Sequence, residues 1–405
     1  MLKPSPDPAA AAVAAANLDS LSVQSAADLE ASNMPVVVAV SGGSDSLALL
    51  HWLVEQHPTL NLHVATVDHR LRPESASEAL AVGQLCVELQ LPHTTLVWQN
   101  ASAAFSAMAA NSATARQARY DLLHAHAKSL GAGAIVLGHT MDDQAETVFM
   151  RAQRARPDSG TRGLAGMAQW ATFNRIRLWR PLLGKRRQDL RDFLQQRQIP
   201  WIDDPSNQDP GYERIRVRKH LAGQFSKAPS IEALARLAGL ATRSRGWMNR
   251  QVADVIGKNV TAASAENLIF SPTDDVSQTV MREVIAVLVL VAGGLPHRSP
   301  TAKLVQLAEA AARKDKMTLT LGRCLISTRN GQISVLRESR NLPLKPDNID
   351  KDLIHDGRIL LQPSAPGFAP RQSPHIASLE NFRPAVDDQI YQTAMELLDS
   401  AARSK

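Results

Sequence analysis

The sequence predicts an α/β fold, with a parallel twisted sheet and helices on both faces, followed by a smaller, mainly helical domain with a hairpin. Between residues 35 and 153, short β-branched apolar runs alternate with segments of helical periodicity, which is typical of βαβ units. From about residue 231 the segments become mainly helical, and Asn330-Gly331 marks a hairpin turn. We see no internal repeat.

Four strand–helix pairs make up the first part of the chain. The first strand is a β-branched apolar run that two glycines end, as expected for a strand buried on both faces. The predicted elements are strand Pro35–Val40, helix Asp45–Glu55, strand His63–Val67, a helix from Pro73 to about Leu89, strand Thr94–Trp98, helix Ser112–Leu130, strand Ala134–Leu137 and helix Asp142–Gln153. In such a sheet, ligands bind beyond the carboxyl ends of the strands.

The second part of the chain has longer helical segments. They are Ile231–Ile256, Val276–Val291 and Thr301–Ala312, and Met317–Ile326 then pairs with Gln332–Leu336 as the hairpin. The predicted organisation is a flexible Ala-rich tail (1–34), a catalytic domain (35–225), the mainly helical domain (226–340), and a linker with a reduced C-terminal region (341–405).

Composition excludes several classes of protein. The two cysteines lie 238 positions apart, which excludes a disulfide framework, a Cys-rich zinc site and a CxxC redox pair, and fits a reducing cytoplasm. No apolar run approaches the ~20 residues that span a bilayer, so we expect no membrane segment. Residues 151–220 hold 16 Lys and Arg against 7 Asp and Glu, which indicates a polyanionic partner larger than a nucleotide.

The loop SGGSDS lies between the first strand and the helix after it. Its residues are Ser41, Gly42, Gly43, Ser44, Asp45 and Ser46. Glycines let backbone N–H groups converge on an anion, and the helix N-terminus adds partial positive charge, so the loop suits a phosphate chain. Asp45 would repel phosphates unless Mg²⁺ lay between them. The nucleotide loop of kinases and GTPases, GxxxxGK[ST], is absent from the sequence.

This loop resembles the pyrophosphate-gripping loop of the N-type ATP pyrophosphatases, a Rossmann-like PP-loop superfamily. Further motifs, in this order and spacing, look like the tRNA(Ile)-lysidine synthetase family over residues 36–220: VDHRLRPES (67–75), ARQARY (115–120), GHTMDDQAET (138–147), DPSNQD (204–209) and RIRVR (214–218). The sequence departs from the family pattern at Arg70, where Gly is expected, and at Thr140, where a second His is expected.

The resemblance implies a cytoplasmic ligase that forms a carbon–nitrogen bond. Such an enzyme joins free L-lysine to C2 of the wobble cytidine in the CAU anticodon of isoleucine tRNA, which switches decoding to AUA. ATP adenylates the cytidine, and pyrophosphate and AMP are released. ATP and Mg²⁺ are the implied cofactors, and the second domain would bind tRNA. The oligomeric state stays open, with a homodimer as one option.

The same resemblance assigns roles to residues near the strand ends. Residues 41–46 would hold the β and γ phosphates, with Asp45 as the Mg²⁺ ligand. Asp68 and His69 would lie on the adenosine side, although Asp68 could equally cap a turn. His139 is a candidate general base or a structural histidine.

The resemblance also implies a lysine site and a residue that assists adenylation. Asp143 and Glu146, three apart on one helical face, would bind the lysine and accept a proton from its amine. The alternative for both is a solvated acidic first turn of the helix. Arg116 would neutralise charge that develops on a phosphate, or it is an exposed arginine paired with a neighbour.

The basic segment suits tRNA phosphates. The candidates are Arg175, Arg177, Arg186, Arg187, Arg214, Arg216 and Arg218. Any one of them could instead be a solvated surface charge, so the prediction rests on the cluster. Three tryptophans interleave with this segment, and we expect most of them in the core rather than stacked on a base.

Three other functions remain as alternatives. A tRNA-thiolating relative would need cysteines near the loop to carry sulfur, and a small-molecule ligase would have little use for the basic segment. A catalytically silent RNA-binding module would leave SGGSDS and DDQAET without a purpose. ATP-dependent pyrophosphate release distinguishes an enzyme from the silent module.

Overall fold

The computed structural model divides the chain into two compact units. The first comprises residues 1–154 and 164–239, and the second comprises residues 155–163 and 240–405. The structure describes residues 23–70, 74–98, 112–155, 162–173, 176–203, 209–223, 229–264, 267–294, 299, 301–338, 340, 353–355, 359–362 and 371–374.

A six-stranded sheet forms the centre of the first unit. Its strands are β1 (Val36–Ala39), β2 (Leu62–Asp68), β3 (His93–Val97), β4 (Ala134–Leu137), β5 (Trp170–Phe173) and β6 (Ile176–Trp179), in the order β3–β2–β1–β4–β6–β5. β5 is antiparallel to β6, and the other neighbours are parallel. The parallel sheet is therefore confirmed, and the four predicted strands agree within two residues at each end. The pair β5–β6 was not predicted.

Helices cover both faces of this sheet. The helices of this unit are α1 (Val23–Ser32), α2 (Ser44–Gln56), α3 (Ser75–Glu88), α4 (Ser112–Ser129), α5 (Met141–Gln153), α6 (Arg187–Gln196), α7 (Glu213–Ala222) and the start of α8 (Ile231–Asn259), of which α7 and the start of α8 pack on α5. Every residue of β1 is at most 2% exposed, as required of a strand packed on both faces. Because parallel strands end at one edge, the loops after β1, β2 and β4 lie together there.

Helix α1 corrects part of the predicted tail. Residues 23–32 form a helix in which Ala26 and Leu29 are buried in the core beside Trp52 and Leu53. The Ala-rich composition hid this i, i+3 spacing, because alanines are common on both faces of the segment. The tail before residue 23 lies outside the described residues.

The second unit contains an antiparallel sheet and helices. Its elements are the remainder of α8, β7 (Val260–Ser264), β8 (Asn267–Phe270), α9 (Gln278–Gly293), α10 (Thr301–Ala312), β9 (Met317–Leu321), β10 (Cys324–Arg329) and β11 (Gln332–Arg337). The five strands form one sheet in the order β7–β8–β11–β10–β9. Val284 to Gly293 of α9 are all buried, so the predicted apolar helix is a core helix. The hairpin around Asn330-Gly331 is confirmed as β10–β11.

One predicted strand of this unit was wrong. The run Met317–Ile326 forms two strands, β9 and β10, which turn at Gly322 and Arg323 with φ values of 60° and 62°. The apolar alternation continues through the turn and hides it. A Gly-Arg pair is also a weaker hairpin signal than Asn-Gly.

The predicted C-terminal region contains a small sheet. A three-stranded antiparallel sheet, β12 (Leu353–His355), β13 (Ile359–Gln362) and β14 (Arg371–Pro374), lies within the predicted C-terminal region. Most of that region lies outside the described residues.

Across the described ranges, no helix combines the length and apolar character needed to cross a membrane.

Candidate active site

The SGGSDS loop follows β1 at the carboxyl edge of the sheet. Gly42 takes a φ of +84°, and a Cβ there would lie 2.9 Å from Ile202 Cδ1, so the position requires glycine for both conformation and space. Helix α2 begins at Ser44, and no side chain caps its N-terminus. An uncapped helix start that follows a glycine turn can bind an anion.

The serines of the loop have different roles. Ser46 Oγ accepts a hydrogen bond from the Ser41 N–H at 3.1 Å and donates one to the Gly43 carbonyl at 2.9 Å, so it holds the loop closed. Ser44 Oγ donates to Asp45 Oδ1 at 3.2 Å. Within the loop, Ser46 therefore preorganises the backbone, while Ser41 and Asp45 lie closer to solvent.

Gly138 brings the end of β4 against this loop. A Cβ at Gly138 would lie 3.0 Å from the Asp45 carbonyl oxygen and 3.3 Å from Ser46 Cα. Glycine is thus needed for two backbones to approach, and this contact places DDQAET beside SGGSDS. The sequence alone gives Gly138 no role, although its position at a strand end directly before His139 is a signal that a backbone approaches closely there.

Asp143 has a structural role and faces the site as well. Thr140 caps helix α5 through a capping box: its Oγ1 accepts a hydrogen bond from the Asp143 N–H at 3.3 Å, and its own N–H donates to Asp143 Oδ2 at 2.8 Å. The Thr140 hydroxyl also donates to Asp143 Oδ2 at 2.8 Å. The other oxygen, Oδ1, contacts arginines. Asp143 therefore does belong to an acidic first turn, as the alternative has it, but its side chain is buried rather than solvated.

Arg187, the first residue of α6, connects the loop to the acidic pair. Its Nε donates to Asp45 Oδ2 at 2.9 Å, and its Nη2 donates to Asp143 Oδ1 at 3.2 Å. Its Nη1 lies 3.7 Å from Glu146 Oε1. One guanidinium therefore contacts carboxylates from two separate motifs.

Two arginines of α7 contact the acidic pair, Asp143 and Glu146, and no other carboxylate in the described part of the chain. Arg214 donates to Asp143 Oδ1 at 2.9 Å and to Glu146 Oε2 at 2.6 Å, and Arg218 donates to Glu146 Oε1 at 2.8 Å. Glu146 is only 2% exposed and depends on these partners. We name the arginine–carboxylate cluster by its six members: Asp45, Asp143, Glu146, Arg187, Arg214 and Arg218.

The electrostatics of this cluster differ between its two aspartates. Burial raises the pKa of Asp45 above its ordinary value, and the guanidinium of Arg187 only partly offsets this. Burial would also raise the pKa of Asp143, but Arg214, Arg187 and His139 together hold it below its ordinary value. Asp143 is therefore firmly ionised at neutral pH, whereas Asp45 is less fully compensated by its present neighbours and would gain from a nearby cation.

Asp45 can serve as a magnesium ligand. Among the described residues, no group of three or more His, Cys, Asp or Glu side chains is placed to hold a metal ion. Magnesium that binds with a nucleotide takes most of its ligands from phosphates and water, and needs only one or two carboxylates. The position of Asp45 in the SGGSDS loop and the raised pKa of its carboxyl fit that use.

Asp68 and His69 follow β2 at the same edge. Asp68 Oδ1 accepts hydrogen bonds from the Arg70 N–H at 2.8 Å and from Ser75 Oγ at 2.7 Å, so Asp68 does cap the turn. Arg70 has a φ of +51°, a region that favours glycine. The His69 ring packs edge-on against Trp98 at 6.0 Å, and burial lowers its pKa. The adenosine role of both remains a prediction.

His139 follows β4 two residues after its end, and Arg116 lies on α4. Arg116 is exposed and donates to Tyr120 Oη at 3.3 Å one turn along α4. Burial lowers the pKa of His139 well below its ordinary value against the opposing charge of Asp143, so its imidazole is neutral at pH 7. Its Nδ1 is buried without a hydrogen-bond partner in the described part of the chain. A neutral imidazole in this place can accept a proton.

The other arginines predicted to contact tRNA lie outside the arginine–carboxylate cluster. Arg186 pairs with Asp142 and Glu232, and Arg216 is exposed and donates to the carbonyls of Pro210 and Gly211. Arg177 is exposed on β6 beside Trp170. Arg175 lies outside the described residues.

The interleaved tryptophans belong mainly to the core, as expected. Trp179 is buried and stacks on Trp170, with ring centroids 5.4 Å apart. Trp201 is partly buried and packs against the same core.

The cysteines offer no sulfur chemistry at this site. Both are buried and neither forms a disulfide, with Cys86 in α3 and Cys324 in β10. Burial raises the pKa of Cys86 to about 11, so its thiol stays protonated at neutral pH. The thiolation alternative therefore lacks its nucleophile among these two residues.

The sequence comparisons with known proteins agree on one family. A family model described as a PP-loop domain matches residues 15–225. A tRNA(Ile)-lysidine synthase of Mesorhizobium japonicum is 40% identical over 337 residues, 80% of this chain and 71% of that protein. One of Rhizobium meliloti is 33% identical over 344 residues, 82% of this chain and 74% of that protein. Among solved structures, the U34-tRNA thiolase NcsA of Methanococcus maripaludis covers 52% of this chain and 73% of its own, with a TM-score of 0.43 and 16% identity.

Proposed function

The chain belongs to the tRNA(Ile)-lysidine synthase family of PP-loop enzymes, and from this premise we propose how its residues carry out the reaction. It is an ATP-dependent ligase that modifies tRNA. In the proposed reaction, O2 of the wobble cytidine attacks the α-phosphorus of ATP and pyrophosphate leaves. The ε-amine of lysine then attacks C2, and AMP leaves with the oxygen.

ATP is proposed to bind at the SGGSDS loop. The backbone around Gly42 and Gly43 and the uncapped start of α2 would hold the β and γ phosphates, and Ser46 keeps that backbone in place. Asp45 would hold Mg²⁺, which when bound supplies charge neutralisation between carboxylate and phosphates. Arg116 would face the charge that develops on the transferred phosphate, and Asp68 and His69 would border the adenosine.

Lysine is proposed to bind through its ε-ammonium at Asp143 and Glu146. Both carboxylates are buried, and Arg214 and Arg187 hold Asp143 ionised, so the pair can bind an ammonium group that takes the place of one of these guanidiniums. The amine must lose a proton before it attacks, and the neutral imidazole of His139 can accept it. The carboxylate pair would orient the amine toward C2 of the cytidine.

The tRNA is proposed to lie on the exposed basic side chains of residues 175–218. Arg177 and Arg216 are the exposed candidates within the described part of that segment, and Arg186 is partly exposed. Arg187, Arg214 and Arg218 are engaged with carboxylates, so contact with tRNA would need them to exchange partners. We place the reaction in the cytoplasm, where two free cysteines are stable. Sedimentation equilibrium would separate a monomer from a homodimer.

The observation that carries the proposal is the contact of the ATP loop with the acidic pair through Arg187. The test is incorporation of labelled lysine into transcribed isoleucine tRNA with a CAU anticodon, with ATP present or omitted. We expect ATP-dependent labelling that is lost when the wobble cytidine is changed. Pyrophosphate release with another RNA or metabolite, but no lysine labelling, would overturn the lysine site and keep the ATP site.

A further inference from the structure

Arg187 contacts both proposed substrate sites at once. It lies on the ATP side against Asp45 Oδ2 and on the lysine side against Asp143 Oδ1, with Glu146 at 3.7 Å. We propose that Arg187 couples the two sites: without nucleotide it occupies the lysine carboxylates, and bound ATP withdraws it, so ATP must bind before lysine binds tightly. This inference rests on the proposed function, because it needs both substrates at these sites.

Only Arg187 is placed for this task among the described arginines. Arg214 and Arg218 contact the acidic pair but make no described contact with Asp45. Movement of either could open the lysine site but could not respond to the ATP loop directly. Arg187 is also 142 residues from Asp45 in the chain and 44 from Asp143, so the connection exists only in the folded protein.

The charge balance of the cluster gives the direction of the coupling. Three carboxylates face three guanidiniums, so a lysine ammonium would enter a site that is already neutral. An incoming triphosphate offers Arg187 a bidentate partner of higher charge, which a guanidinium binds well. Once Arg187 turns to the phosphates, Asp143 and Glu146 are left with two guanidiniums instead of three, so an ammonium group can take the place that Arg187 leaves.

The backbone of Arg187 is held while its side chain can turn. Its N–H donates to Asp142 Oδ2 at 2.8 Å, and the neighbouring Arg186 also pairs with Asp142. The start of α6 is thereby fixed to the start of α5. Exchange of partners by Arg187 then requires rotation of one side chain and no shift of the helix.

The experiment is lysine binding measured by calorimetry on the full chain, with Mg²⁺ constant and with or without α,β-methylene-ATP. For the unmodified protein we expect the analogue to tighten lysine binding about 10-fold. Arg187→Gln should bind lysine more tightly than the unmodified protein when nucleotide is absent, and the analogue should change its affinity by less than about 2-fold. Arg187→Lys keeps the positive charge but cannot donate two parallel hydrogen bonds to one partner. Its lysine affinity and its response to the analogue should therefore lie between those of the unmodified protein and Arg187→Gln.

Arg197→Gln is the matched control. Arg197 caps the other end of α6 and pairs with Glu55, so its loss removes an arginine–carboxylate pair of the same helix away from the cluster. It should retain the full response to the analogue. Matching thermal unfolding of both variants would show that folding does not explain the difference.

Two results would overturn the coupling while lysine still binds. One is lysine binding by the unmodified protein that does not respond to the analogue, which would leave the lysine site standing. The other is Arg187→Gln with weaker lysine binding and an intact response, as a merely structural arginine would give. If the unmodified protein binds no lysine in either condition, the proposed lysine site is wrong and the coupling is wrong with it.

Discussion

Replacement of Glu146 by Gln should lower both the stability of the first unit and the affinity for lysine. Glu146 is 2% exposed and accepts hydrogen bonds from Arg214 at 2.6 Å and from Arg218 at 2.8 Å. A hydrogen bond to a charged group contributes about 1.5–3 kcal/mol, and Gln can keep one of the two. Both arginine side chains are near one third exposed, so water recovers part of the loss. We expect the free energy of unfolding to fall by about 2 kcal/mol.

Thermal unfolding and steady-state kinetics measure the two effects. A loss of about 2 kcal/mol lowers Tm by about 4–8 °C in a domain of 150–250 residues. If Glu146 contacts the ammonium of lysine, the same free energy raises the KM for lysine by about 30-fold. The KM for ATP should change by less than about 3-fold, because Glu146 does not contact the phosphate loop.

Glu55→Gln is the matched control for this prediction. Glu55 accepts two hydrogen bonds from Arg197, each at 2.8 Å, but this pair lies at the surface. An exposed pair contributes at most about 1 kcal/mol, so Tm should fall by less than about 4 °C and the kinetics should not change. Equal losses of Tm in the two variants, or equal rises in the KM for lysine and ATP, would refute the reasoning.

Three further predictions follow from the site. Asp45→Ala should abolish pyrophosphate release while tRNA affinity in filter binding stays within about 3-fold, and a collapse of both would mean misfolding or a wrong role. The pKa of Asp143 is lowered in the folded state, so its stabilisation is complete above the ordinary pKa near 4 and is lost as pH falls toward the folded value. Denaturant midpoints between pH 2 and 7 should therefore fall less steeply for Asp143→Asn than for the unmodified chain, and parallel curves would contradict this. Gly138→Ala should cost about 1–3 kcal/mol and impair ATP use, because its Cβ would lie 3.0 Å from the Asp45 carbonyl. Gly184→Ala, with no atom within 4 Å of the added Cβ, is its control and should behave as the unmodified chain.

Local patterns predicted the elements that local physics determines. The strand β1, the glycine loop and helix α2 are adjacent in sequence, and their apolar runs and glycines report their own conformation. Helix α5 begins directly after Thr140, whose side chain caps it, so the start of this helix is also determined locally. Thr140 stands where the family pattern has a second histidine. The strands β5 (WATF) and β6 (IRLW) escaped prediction because polar residues interrupt them, whereas the equally short β1 (VVVA) and β4 (AIVL) are continuous apolar runs.

The basic segment demonstrates where composition alone fails. An excess of arginine predicts a polyanionic partner, but it does not say which arginines face solvent. Arg187, Arg214 and Arg218 lie 44 to 72 residues from the carboxylates of α5 that they contact. In the sequence they are indistinguishable from the exposed Arg177 and Arg216. No periodicity reports a contact across such a distance.

The sequence alone determined the parallel α/β fold, the SGGSDS turn between β1 and α2 and the presence of an acidic pair, because each depends on neighbours within a few residues. Only the tertiary structure decided what that acidic pair contacts. The approach of Gly138 to the loop backbone and the start of α6 bring Asp45, Asp143 and Glu146 around Arg187. Charges interact through space and not along the chain, so packing of the sheet edge determines which of them meet.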